Sequence, residues 1–300
     1  MTPRIEVSDL HLSYGSTKAL SGISFELAGG KIYGLLGRNG SGKTSLLSVL
    51  AGFRRPTSGT VRVDGQPVFE NGAVTSRICL IRETPDAADK DSNVSDSLEM
   101  ARYLRPSWDD KYADELIERF EIPRKIHAGQ LSRGKRSALG IVFGLASRTP
   151  VTLLDESYLG LDAPSRALFQ ELLLDDFMAH PRTIIVSTHL IEEMASIFEE
   201  VLIIDQGRLL LHEETDALRA RGVTVTGPAD AVDRFTAATG LTRLGERRLG
   251  RTKAVTAYGT LDADHRRQAG ADGLDVDPVA LQDLFIHLTE PKPELSKETR

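Results

Sequence analysis

KIYGLLGRNGSGKTSLLSVLAG, Lys31–Gly52, is the stretch on which the fold turns. KIYGLLG is a short, mostly apolar strand. TSLLSVLAG spaces its apolar residues at helical intervals and stops on a glycine. Between them Gly37, Arg38, Asn39, Gly40, Ser41, Gly42, Lys43 and Thr44 fit G-x-x-x-x-G-K-[ST]. The spacing has a physical reason. Glycines let the backbone turn its N–H groups inward around phosphates, and the following helix offers its positive N-terminus. Lys43 is then in reach of the β- and γ-phosphates, and the Thr44 hydroxyl is a ligand for Mg²⁺. An incidental glycine-rich turn has no reason to sit between a strand and a helix, so nucleotide binding is the reading.

A partner carboxylate should end a nearby apolar strand. VTLLDE, Val151–Glu156, supplies two. Asp155 is suited to hold Mg²⁺ through water, and Glu156 to polarise an attacking water. RTIIVSTH brings His189 to another strand end, the ligand-facing edge of an open parallel sheet. A lone histidine is more often structural, and spacing alone does not assign this one.

Outward from these motifs, strand and helix patterns alternate, which implies a mostly parallel sheet covered by helices. The first thirty residues read as two alternating strands, and PTSGTVRVDGQPV as turn, strand and turn. From about 86 to 150 the texture is helical, in VSDSLEMARYL, WDDKYADELIERFEI and KRSALGIVFGLAS. EVLIIDQGRLLL reads as one further strand. After about Gly222 come strand, short helix, strand (KAVTAYGTL) and a closing helix (DPVALQDLFIHLTE). The expected division is residues 1–222 as one domain, 223–290 as a small α/β appendage, and 291–300 as a disordered polar tail.

The 300 residues carry 40% hydrophobic and 27% charged side chains, enough for a sizeable core. A net charge of -6 argues against a surface built as a whole for nucleic acid. The single cysteine, Cys79, allows no disulfide within the chain, as expected in a reducing compartment. No signal peptide and no apolar run of spanning length is visible.

The order of the motifs carries a resemblance. Tyr14 precedes the phosphate loop, LSRGK (Leu131–Lys135) precedes VTLLDE, LGLD (Leu159–Asp162) follows it, and His189 comes last. From about Arg4 to His212 the chain resembles the ATP-binding-cassette ATPases, the nucleotide-hydrolysing subunits of ABC transporters. The resemblance implies a P-loop NTPase fold of mixed sheet core, antiparallel β subdomain and helical subdomain at about 86–150. It implies that Tyr14 stacks on adenine, that Gly37–Thr44 form the Walker A loop, and that Asp155 and Glu156 are the Walker B aspartate and catalytic glutamate. It makes His189 the switch histidine and Asp162 the D-loop aspartate. Leu131, Ser132 and Gly134 match the family signature, which completes a neighbouring cassette's ATP pocket in a head-to-tail dimer. One cassette per chain therefore implies a second ATPase subunit, identical or different.

Three departures stand out. Glu83 falls where the family has a glutamine that ligates Mg²⁺, and a carboxylate there still ligates the ion. Arg133 and Lys135 replace a glycine and a glutamine of the signature, and Ser157 replaces the proline usual after Glu156. Such features resemble a divergent bacterial exporter-type branch with an LSRG signature. Lys43, Asp155, Glu156 and His189 are all retained, so active hydrolysis is expected.

The leading expectation is a transporter's energy-coupling ATPase, an exporter by the resemblance of ALQDLFIHLTE to exporter chain ends. It would lie on the cytoplasmic face of the membrane, held by a separately encoded permease docked on the helical subdomain, with ATP and Mg²⁺ as cofactors. Trp108 and Tyr112 are read as local core in preference to that docking face. Nucleic acid is not an expected partner. Two alternatives stay open: a soluble ABC ATPase acting on nucleic acid or ribosomes, and a low-turnover regulatory module.

Overall fold

The computed structural model describes residues 2–82 and 91–289. In chain order the first part runs β1 (Ile5–Tyr14), β2 (Thr17–Leu27), β3 (Ile32–Leu36), α1 (Lys43–Leu50), β4 (Ser58–Val63), β5 (Gln66–Pro67), α2 (Gly72–Thr75) and β6 (Ile78–Arg82). Then come α3 (Val94–Leu104), α4 (Asp110–Arg119), α5 (Arg133–Ala146), β7 (Val151–Asp155), α6 (Ala163–Ala179), β8 (Thr183–Thr188), α7 (Ile191–Met194), β9 (Glu200–Asp205) and β10 (Arg208–Glu214). The last part is α8 (Thr215–Arg221), β11 (Gly222–Pro228), α9 (Ala229–Ala238), β12 (Thr242–Leu249), β13 (Thr252–Tyr258), α10 (Ala263–Ala271), β14 (Asp275–Pro278) and α11 (Leu281–Thr289).

Two compact units emerge, Met1–Leu190 with Ser196–His212, and Ile191–Ala195 with Glu213–Arg300. The chain passes from the first unit to the second at His212/Glu213, ten residues before the division at 222/223 expected from the sequence.

In the larger unit a six-stranded sheet has the order β10-β9-β3-β8-β7-β6. β6, β7, β8, β3 and β9 pair in parallel. β3, β7 and β8 are buried along their whole length, as strands covered on both faces must be, which explains their continuous apolar runs. The segment EVLIIDQGRLLL is two strands rather than one. Gln206 and Gly207 both adopt positive φ, 46° and 74°, and a two-residue connection of that kind reverses the chain. β10 therefore makes the sheet mixed.

A second sheet, β2-β1-β4-β5, is antiparallel. Its inner residues, among them Ile5, Val7, Leu20, Ile23 and Leu27, join Leu35, Leu46, Leu47 and Ile185 in one core cluster. The antiparallel sheet thus packs against α1 and the central sheet, on either side of residues 37–42.

The smaller unit holds a four-stranded antiparallel sheet, order β12-β13-β11-β14. Strands and helices alternate as β-α-β-β-α-β, the split βαβ arrangement. Val223, Val225, Val232, Phe235, Val255 and Ala257 form its core. Two of the four strands were invisible to patterning. β12 is an arginine-rich edge strand without apolar alternation, and β14 has four residues of which two are aspartates.

Candidate active site

The C-terminal ends of β3, β7 and β8 lie beside Lys43, Asp155, Glu156 and His189. Gly42 caps α1 at φ 109°, where a Cβ would lie 2.8 Å from the Ala19 carbonyl oxygen. Only glycine fits that close approach in that conformation. The Ser41 carbonyl accepts the Gly207 N–H at 2.9 Å, which ties the loop to the β9–β10 turn. Tyr14 ends β1 beside the start of α1, its hydroxyl 3.5 Å from Ser45 Oγ. Tyr14 is 44% exposed, and the Arg54 guanidinium lies over its ring, 5.7 Å from the centroid.

Lys43 is buried, with its ammonium donating to the Gly37 carbonyl at 2.7 Å and the Arg38 carbonyl at 3.2 Å. Its third contact is Glu156 Oε1 at 3.1 Å. His189 Nδ1 lies 3.4 Å from that same oxygen. Lysine from the start of α1, glutamate from the end of β7 and histidine from the end of β8 thus converge on one point. Glu156 holds φ 50°, the left-handed region, which a non-glycine residue enters at a cost of about 1–2 kcal/mol.

Asp155 is buried, and its Oδ1 accepts from Ser187 Oγ at 2.6 Å. Burial pushes its pKa up, while hydrogen bonds from Ser187 and Thr44 pull the other way. The Thr44–Asp155 hydrogen bond sets two hard oxygen donors side by side, a donor set suited to Mg²⁺. Among the described residues no group of three or more metal-ligating side chains occurs. A Mg²⁺ site completed by phosphates and water needs none. Glu83 lies outside the described residues.

Ser132 is the N-cap of α5, with its Oγ accepting the Lys135 N–H at 3.2 Å. A capping serine still has its own O–H to donate, so the cap leaves it competent toward a phosphate. Lys135 turns its ammonium to the Phe120 carbonyl at 2.6 Å, away from the helix start. Asp162 caps α6 through the Ser165 N–H at 2.9 Å, and hydrogen bonds from the Ser165 hydroxyl and N–H hold its pKa below the usual carboxylate value. No hydrogen bond or ion pair joins Ser132, Gly134 or Asp162 to the Gly37–Thr44 loop among the described residues.

The model of the "ABC transporter" family matches residues 20–158. The daunorubicin resistance ATP-binding protein DrrA3 of Streptomyces coeruleorubidus is 30% identical over 95% of this chain and 95% of its own. The chain belongs to the ATP-binding proteins of ABC transporters. The Nod factor export ATP-binding protein I of Paraburkholderia xenovorans is 32% identical over 72% of each chain. Among solved structures, a dimeric ATP-binding cassette in a post-hydrolysis state with ADP and phosphate superposes with a TM-score of 0.62 at 20% identity, over 70% of this chain and 98% of that one. That likeness identifies the fold. As an ABC ATPase the protein binds and hydrolyses ATP, and the P-loop cassette expected from the sequence is the fold observed.

Two surfaces sharpen the picture of this ABC ATPase. Trp108 and Tyr112 pack inward: Trp108 lies 6.1 Å from the Phe143 ring, and Arg148 lies 4.3 Å above the Tyr112 ring. Burial pushes the Tyr112 hydroxyl up to about 12. The exposed apolar face of the helical region is on α3 instead. Met100, Tyr103 and Leu104, spaced i, i+3, i+4, are 57%, 86% and 66% exposed. Beside them lies a cavity of about 430 Å³ lined by Thr75, Arg77, Met100, Leu104 and Phe143. Sequence reading missed this face, although Val94, Leu98 and Ala101 already fill the buried side of α3 and leave those three apolar residues over.

No helix among the described residues is long and apolar enough to cross a membrane.

Proposed function

We propose that this protein is the energy-coupling ATPase of a two-part exporter, working as a pair of cassettes on a separate membrane-spanning permease. The observation that carries the reading is the convergence of Lys43, Glu156 and His189 at the strand ends, beside the Thr44–Asp155 pair. The end-to-end similarity to a drug-resistance ATP-binding protein, through the C-terminal unit as well as the cassette, favours export.

In this reading the ATP phosphates take the places that Glu156 and the Gly37 and Arg38 carbonyls occupy on Lys43. Thr44 and Asp155, with Glu83, would hold Mg²⁺, which would supply neutralisation of the phosphate charge. Lys43 draws charge from the γ-phosphate, and Tyr14 stacks on the adenine. Stacking of this kind is worth about 1–3 kcal/mol per base. Glu156, freed from Lys43, accepts a proton from water as its oxygen attacks the γ-phosphorus. The bond to the β–γ bridging oxygen breaks, and ADP carries that oxygen away. His189 donates to the γ-phosphate. Ser132 and the N-terminus of α5 in the second cassette close the pocket from the far side, with Gly134 letting the backbone approach. Asp162 keeps the helix after the Walker B strand in register with that neighbour. ATP thus glues two cassettes, and hydrolysis releases them.

The permease docks on the exposed α3 face, Met100, Tyr103 and Leu104, and holds the ATPase peripherally at the cytoplasmic side of the membrane. Tagged protein recovered from a detergent extract of the host tests this. A multi-helix membrane protein should co-purify with the wild type and be lost from the Met100→Glu/Leu104→Glu variant. Recovery of ribosomes or nucleic acid in its place would sink the transporter reading and favour the soluble alternative.

A further inference from the structure

Two adjacent hydroxyls at the end of β8 fasten the loops around the catalytic centre. Ser187 is fully buried and lies opposite Asp155 in the parallel β7–β8 register. Its Oγ donates to Asp155 Oδ1 at 2.6 Å and accepts the Glu156 N–H at 3.0 Å. One atom therefore serves both acids. With Oδ1 committed, the Asp155 carboxylate is held in one rotational setting. With its N–H committed, Glu156 is held in the left-handed conformation it would otherwise leave.

Thr188, next along, is also buried. Its Oγ1 accepts the Leu190 N–H at 2.8 Å and shares a hydrogen bond with the Tyr158 hydroxyl. Tyr158 is two residues past Glu156, and Leu190 one past His189. The loop bearing the glutamate and the loop bearing the histidine are thereby joined through one side chain. After Thr183 at its start, β8 is Ile184, Ile185 and Val186, all buried and apolar. Hydroxyls return where the strand reaches the acids. A residue there only to fill space would be apolar, because a buried hydroxyl without a partner is costly.

We propose that Ser187 is a positioning residue for ATP hydrolysis, whose hydroxyl sets the Asp155 carboxylate for the metal ion and the backbone turn that aims Glu156 at water. This deepens the proposed function and rests on its roles for Asp155 and Glu156. Ser187 touches neither nucleotide nor water; it acts through the two acids.

The test uses the full chain with Ser187→Ala and Ser187→Thr. Turnover and KM are measured with Mg·ATP, nucleotide affinity in EDTA with a fluorescent ATP analogue, and Mn²⁺ binding in the presence of ATP by electron paramagnetic resonance. Losing one buried hydrogen bond to a charged group predicts about tenfold lower kcat in Ser187→Ala. KM and metal-free nucleotide affinity should hold while Mn²⁺ binding weakens. Ser187→Thr, which keeps the hydroxyl, should recover kcat. Unchanged kcat and Mn²⁺ binding in Ser187→Ala would overturn the inference. So would a loss that merely follows the folded fraction, measured by circular dichroism. Glu156→Gln is the control on the parent reading. If it loses turnover while Ser187→Ala does not, only the positioning role fails; if it retains turnover, the assignment of the base fails.

Discussion

The two ends of the central sheet handle buried charge in opposite ways. At the C-terminal ends of the strands, Lys43 shares its ammonium among two carbonyls and a glutamate that itself has a second partner in His189. In the proposed function each contact there is exchanged for a phosphate oxygen. At the N-terminal ends, Asp176 on α6 has no exposed side-chain surface and is clamped between Arg148 and Arg182. Arg182 Nη2 lies 2.5 Å from Asp176 Oδ2, and Arg148 also donates to Asp109 Oδ2 at 3.1 Å. Burial pushes the Arg182 pKa down to about 10, yet its nitrogens also reach the His180 carbonyl and Thr152 Oγ1. One end is built to change partners; the other is built to keep them. The Lys43 ammonium is shared among exchangeable partners, and the Asp176 carboxylate is held between two guanidinium groups.

The strongest way to break that contrast is Asp176→Ala. Removing one member of a buried pair strands the guanidinium groups, at a cost of about 3–5 kcal/mol. Urea unfolding should register the loss, while ATP turnover per folded molecule stays close to wild type. Turnover lost without a change in stability would show that this end serves chemistry as well.

Gly160→Ala should have a smaller effect, at the junction between LGLD and the signature helix. A Cβ on Gly160 would lie 2.2 Å from Ser137 Oγ and 3.3 Å from Arg133 Cγ. Overpacking of this kind costs about 1–3 kcal/mol, and the start of α5 must shift to relieve it. ATP binding should be kept while turnover drops several-fold. Ser137→Ala in the same chain should restore part of it, since the closest clash is with the hydroxyl. A double variant no better than Gly160→Ala would separate the signature from this contact.

The smallest expected effect lies at the braced end. Burial disfavours ionisation of Glu200, but hydrogen bonds from Lys31 and His212 outweigh it and hold its pKa below the ordinary 4.5. A depressed carboxylate pKa adds stability above the ordinary value that is lost as pH falls through the folded value. Glu200→Gln should cost about 1 kcal/mol at neutral pH and flatten the fall in stability below pH 4.5. An unchanged acid limb in urea titrations would remove Glu200 from the brace.

What was legible in the sequence was whatever a ligand's geometry fixes locally. The phosphate loop spans eight residues because phosphates demand it, and Asp155, Glu156 and His189 were readable as polar ends of apolar strands. The missed features depend on distant pairing. Ser187 matters only because β8 lies beside β7 in a register that opposes it to Asp155. The Arg148–Asp176–Arg182 clamp joins a loop, a helix end and a strand start that no local pattern relates. β12 escaped because an edge strand rich in arginine looks like a loop. The β9–β10 reversal escaped because Gln206–Gly207 interrupts the apolar run for only two residues.

The central claim is that Glu156 drives hydrolysis in a site that two cassettes complete together. Sedimentation and turnover of Glu156→Gln with Mg·ATP test it most directly. Removing the base should lower turnover by at least about a hundredfold, and the variant should sediment as a dimer with ATP and as a monomer without it. Wild-type turnover, or a monomer that persists with ATP bound, would contradict the account.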